Sequence, residues 1–224
     1  MRPTRRPRFK VCCIASVAEA ELAIDAGAAA LGLVSQMPSG PGVLADETIA
    51  EIAARVPPGV DTFLLTALRD PDAIVEQHRA ARTSALQLVD ELPARSHARL
   101  RSALPGIRLV QVVHVTGPES IEQAERAAEH VHALLLDSGN PNLEVKELGG
   151  TGRRHDWTLS ARIRERVGVP VLLAGGLTPD NAAEALAIVR PYALDVCTGL
   201  RGSGFALDAG KLARFAAAIV ASGP

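Results

Sequence analysis

Short apolar runs rich in leucine and β-branched residues alternate along this chain with longer stretches in which apolar positions recur at helical spacing. The runs are FKVCCIA (9–15), ALGLVS (30–35), VDTFLLT (60–66), ALQLV (85–89), RLVQVVHV (108–115), HALLLD (132–137), PVLLAG (170–175) and ALDVCTG (193–199). Alanine-rich amphipathic stretches separate them, at 17–27, 46–56, 71–81, 93–104, 118–130, 158–167, 179–190 and 208–221. Three of the latter carry start signals, a capping residue followed closely by proline: Asp70 with Pro71, Thr116 with Pro118 and Thr178 with Pro179. Strict alternation of strand and helix, with strands that read as continuous apolar runs, predicts a parallel sheet covered by helices. Eight repeats predict closure into an α/β fold, a (β/α)8 TIM barrel of a single domain spanning residues 9–224. The competing open, doubly wound sheet lacks its usual G-x-G-x-x-G after the first strand.

Composition narrows the class. The chain has 224 residues, 47% of them hydrophobic, and 24 Lys and Arg against 25 Asp and Glu, so no bulk field draws in nucleic acid or an acidic membrane. The basic cluster MRPTRRPR at residues 1–8 reads as a flexible terminus; it lacks the apolar core of a signal peptide, and no apolar run reaches membrane-spanning length. Three cysteines make no disulfide framework, and the absence of C-x-x-C or a His pair at helical spacing argues against structural zinc. The expectation is a reduced, cytoplasmic protein, a monomer or homodimer, acting on a small molecule with no metal and no cofactor.

A barrel places its active site at the C-terminal ends of the strands, and that rule sorts the polar residues. Cys12 and Cys13 end the first run, Asp137 the sixth, and Asp195 lies in the eighth. Strand alternation predicts that Cys12 and Cys13 point to opposite faces. A lone strand cysteine is more often a small core hydrophobe than a base, and a helix cap or loop anchor is the alternative to chemistry for Asp137. The glycine-rich loops AGGLTPDN and CTGLRGSG follow the last two runs, where barrels commonly bind phosphate through backbone N–H groups. Gly175, Gly176, Thr198 and Gly199 are the candidate phosphate-binding residues.

Taken together, four motifs resemble the phosphoribosylanthranilate isomerase family: KVCC at 10–13, LLLDS at 134–138 with GGTG at 149–152 and Asp156-Trp157, LAGGLTPDN at 173–181, and VRPYALDVCTG at 189–199. The resemblance covers nearly the whole chain. It implies an Amadori rearrangement of an aminoaldose phosphate to an aminoketose, in tryptophan biosynthesis, on a phosphosugar substrate. It makes Asp137 the general acid and Cys12 the general base, leaves Cys13 as packing, and assigns further substrate contacts to Gly150, Asp195 and Arg201. Departures gather at the aromatic end of the implied substrate. Gly42 stands where the family carries an arginine, Val89-Asp90 where it carries His-Gly, and Arg201 where it carries a glutamate; Cys13 itself replaces a glycine. Arg201, Arg153 and Arg154 are the candidate replacements for the missing cation, unless the substrate lacks anthranilate's carboxylate or is another phosphoribosylamine. A phospho-ligand binding protein without catalysis is the remaining alternative.

Overall fold

The computed structural model describes residues 8–93, 95–148 and 152–222. Eight parallel strands close on themselves in sequence order: β1 (Arg8–Val11), β2 (Ala30–Val34), β3 (Asp61–Thr66), β4 (Ala85–Leu88), β5 (Arg108–His114), β6 (Ala133–Asp137), β7 (Val171–Leu173) and β8 (Ala193–Val196). The helices that follow them in turn are α1 (Val17–Asp25), α2 (Asp46–Arg55), α3 (Pro71–Ala81), α4 (Ser96–Ala103), α5 (Ser120–Ala128), α6 (Trp157–Arg166), α7 (Ala182–Val189) and α8 (Ala209–Ala221). Arg8 already belongs to β1, so the barrel begins one residue before the expected boundary, and the rest of the basic terminus lies outside the described residues. None of the helices described is long and apolar enough to cross a membrane.

The strand sequences separate two cores. Outward positions carry large aliphatic side chains, such as Leu31, Leu64, Leu86, Leu109, Leu134 and Leu194, which pack beneath the helices. Inward positions alternate in size around the barrel: alanines Ala30, Ala85, Ala133 and Ala193 from the even strands, the larger Phe63, Val110 and Leu172 from odd ones. Alternation by twos thus survives inside runs that look uniformly apolar, because both faces of a barrel strand are buried but only the outer one meets the helices.

The expected strands overrun at their C-terminal ends, the first stopping at Val11 and the eighth at Val196. Asp70 caps α3 as expected, its Oδ1 accepting from the Ala73 N–H at 2.8 Å. The two Thr-Pro signals instead open turns ahead of their helices, whose caps are Glu119 and Asn181.

Candidate active site

The floor of the barrel mouth is built by β1 and its neighbours. Register sets Lys10 beside Asp195, and the Lys10 Nζ lies 2.9 Å from each carboxylate oxygen. Burial by itself would push the Lys10 ammonium down, but Asp195 outweighs it and the net shift is upward. Burial pushes the Asp195 carboxyl up as well, yet two contacts this short to a cation decide for the charged pair. Across on β2, a Cβ at Gly32 would fall 2.7 Å from Cys12 Sγ and 2.9 Å from Lys10 Nζ. Only glycine leaves room there for the thiol and the ammonium to share one spot.

The expected opposition of Cys12 and Cys13 fails. Cys12 is the first residue past β1, its N–H donating to Val196 O at 2.8 Å, and Cys13 turns into the left-handed region at φ +61°. Alternation holds only while the backbone stays extended; here both thiols open onto one cavity. A hydrogen bond from Cys13 is the main influence on Cys12, and together with the Lys10 charge it lowers the Cys12 thiol against the effect of burial. The same bonding, to Cys12 and to Cys197, holds the Cys13 thiol well above its ordinary value.

Asp137 ends β6 on the cavity wall, 8% exposed. Burial raises its carboxyl, and its Oδ1 accepts from the Ser138 N–H at 2.8 Å, which fixes the orientation of the group. Beside it on β5, His114 joins Nε2 to Val89 O at 3.0 Å, so that nitrogen carries the proton and donates, and Nδ1 is buried without a partner among the described residues.

At one end of the cavity, loops after β6, β7 and β8 converge with Gly152, Gly175, Gly176 and Thr198 on the lining. Gly175 and Gly176 adopt φ of +83° and +64°, and a Cβ on Gly176 would lie 2.7 Å from the backbone of Arg153 and Arg154. Among the described residues, no protein acceptor takes the N–H groups of Gly175, Gly176 or Leu177. Backbone N–H groups left free in such a turn are available to an anion. Gly199 serves a different purpose: its position lies so close to the Leu177 carbonyl that a side chain cannot fit, and it does not line the cavity. Gly150 lies outside the described residues. Asp195 lines the cavity, held by Lys10. Arg201 does not: its guanidinium is buried, pairs with Glu19 at 2.8 Å, and donates to the Cys12 and Cys13 carbonyls at 2.7 Å each. It braces the strand end that carries the thiols instead of facing a ligand.

The opposite end is apolar, with Val34, Met37, Pro41, Leu65, Val89 and Leu148 on the lining and no arginine or lysine among the described lining residues. Arg153 pairs with Glu147, and Arg154 with Glu184 while stacking 3.6 Å over Trp157. Lys146, on the loop after β6, ties that loop across the mouth: Nζ reaches Asp90 at 2.5 Å and its carbonyl accepts from Ser39 Oγ at 2.7 Å.

Comparison with known proteins fits this geometry. The family model for N-(5'-phosphoribosyl)anthranilate (PRA) isomerase matches residues 9–218. This chain belongs to the PRA isomerase family. A relative from Methanosarcina mazei, N-(5'-phosphoribosyl)anthranilate isomerase 2, is 34% identical over 209 residues, 93% of this chain and 92% of its own. The PRA isomerase structure from Thermus thermophilus superposes with a TM-score of 0.81 at 28% identity, covering 96% and 98% of the two chains. A further PRA isomerase, solved with reduced 1-(o-carboxyphenylamino)-1-deoxyribulose 5-phosphate, gives 0.78 at 25% identity over 94% and 96%.

Within the PRA isomerase family pattern, two features escaped sequence reasoning. Gly42, in the position expected to have lost an arginine, has φ +81°, and a Cβ there would lie 2.7 Å from the Cys13 Cβ. The Cys13 side chain occupies the space a side chain at 42 would need. Gln87 is buried on the cavity wall, its Oε1 without a hydrogen-bond partner among the described residues. Its signal was present as the single polar residue in ALQLV.

Proposed function

We propose that this chain converts N-(5'-phosphoribosyl)anthranilate to 1-(o-carboxyphenylamino)-1-deoxyribulose 5-phosphate, an Amadori rearrangement in tryptophan biosynthesis. Asp137 protonates the furanose ring oxygen and opens the sugar to a Schiff base; Cys12, as thiolate, removes the proton at C2′ that imine formation has made acidic. The observation that carries this reading is that Cys12 and Asp137 line one buried cavity and have their proton affinities moved toward one another. An unperturbed thiol and carboxyl would hold the reverse protonation at neutral pH; lowering one and raising the other enlarges the fraction with a charged base and a neutral acid. The free N–H groups of Gly175, Gly176 and Leu177 support phosphate binding at the far end, with Thr198 alongside. The test is steady-state turnover of freshly generated N-(5'-phosphoribosyl)anthranilate by the purified chain, competed by inorganic phosphate.

The apolar lining of the opposite end, without arginine or lysine among the described residues, favours one second reading, an aglycone without a carboxylate. Turnover of a carboxylate-free phosphoribosylamine in preference to N-(5'-phosphoribosyl)anthranilate would select it.

A further inference from the structure

All three cysteines of the chain meet at the mouth of the barrel, and the chemistry above uses only one of them. Cys13 comes from the turn after β1, and Cys197 from the turn after β8, 184 residues away in sequence. The closure of the barrel, which pairs β1 with β8, brings them together. Their sulfurs lie 2.6 Å apart, both free, and Cys197 is partly exposed to the cavity. A disulfide needs a sulfur separation of about 2.05 Å, so closing the bond asks for only a small movement.

We propose that Cys13 and Cys197 form a dithiol modification site at the mouth of the cavity, which a small-molecule disulfide entering the mouth closes into an internal disulfide. The partly exposed Cys197, as thiolate, attacks one sulfur of R–S–S–R, forming a mixed disulfide and releasing RS⁻. Cys13 then gives up its proton, and its sulfur displaces the second RS⁻, leaving the Cys13–Cys197 bond. Two electrons pass from the protein to the small disulfide, which departs as two RSH carrying the two thiol protons.

The consequence falls on Cys12. Cys12 and Cys13 are consecutive and open onto one cavity, where a hydrogen bond from Cys13 lowers the Cys12 thiol, and a sulfur in a disulfide has no proton to donate. Oxidation therefore withdraws that support and leaves Cys12 a weaker source of thiolate near neutral pH, without touching the reacting atoms themselves.

The experiment treats the reduced, full-length protein with the disulfide of 2-mercaptoethanol and reads thiols rather than turnover, so its result stands apart from the isomerase reading. Free thiols should fall from three to one, the mass should drop by two hydrogens, and digestion should yield the Cys13 and Cys197 peptides joined. The pH midpoint for alkylation of Cys12 by iodoacetamide should move up after oxidation and return with dithiothreitol. Cys197→Ser and, as a second variant should that one fold poorly, Cys13→Gly should each form no internal bond. Mixed disulfides that persist without internal closure, a cross-link that includes Cys12, or closure with an unmoved Cys12 midpoint would each overturn the proposal.

Discussion

The two ends of the cavity are built by different means. Over β7 and β8 the cavity surface is backbone: Gly175 and Gly176 in left-handed turns, with N–H groups that no described residue accepts and the Arg153–Arg154 peptide packed against Gly176. Over β1 to β4 it is side chain: Val34, Met37, Leu65 and Val89, with the nearby cations committed to Asp90, Glu147 and Glu184. A backbone surface of this kind depends on glycines whose left-handed conformation other residues adopt only with strain, and it is kept here as the motif at 173–181. A side-chain surface can be exchanged piece by piece while the barrel beneath it stands, and this is where the chain has drifted from the family pattern.

The largest expected effect belongs to neither end. Cys12→Ser and Asp137→Asn should each lower kcat at least about a hundredfold on any phosphoribosylamine, whatever its aglycone, with the fold intact by circular dichroism. A variant that loses activity on one aglycone and keeps it on another would place the chemistry in the aryl end and break the comparison.

The backbone end is probed next. Gly176→Ala puts a Cβ against the Arg153–Arg154 peptide at a φ of +64°, and should raise KM about tenfold with kcat little changed, weakening competition by inorganic phosphate in parallel. An unchanged phosphate inhibition constant would show that the anion does not sit over this turn.

Behind the same loops, a Cβ on Gly175 would fall 3.1 Å from His155 Nδ1, and burial lowers the His155 ring from 6.5 to about 4. The unfolded chain then binds the extra proton first, so stability is lost as pH falls from about 6.5 and levels off near 4, up to about 3 kcal/mol in all. Chemical denaturation across that range should give a shallower loss for His155→Gln than for the parent.

The smallest effect is expected at the aryl end. Lys146→Ala removes a half-exposed partner of Asp90 and should change KM for N-(5'-phosphoribosyl)anthranilate less than about threefold. A tenfold rise confined to substrates with a carboxylate would mean that Lys146 leaves Asp90 for the ligand, and that this end has a cation after all.

Much of this was legible in the chain. Eight apolar runs separated by amphipathic stretches are enough for a barrel, since strands buried on both faces must read as unbroken apolar segments and each crossover needs a helix. Asp137 was visible because a carboxylate ending an apolar strand requires a reason, and the β7 glycines because a paired glycine after a strand permits conformations other residues avoid. The tertiary structure alone decided where Arg201 turns, toward Glu19 and two carbonyls instead of the ligand, because a long side chain goes to whichever partner the fold brings within reach. It also decided the fate of the two adjacent cysteines. Period-two alternation assumes an extended backbone, and a single residue at φ +61° turned both thiols to one side, where barrel closure set Cys197 beside them.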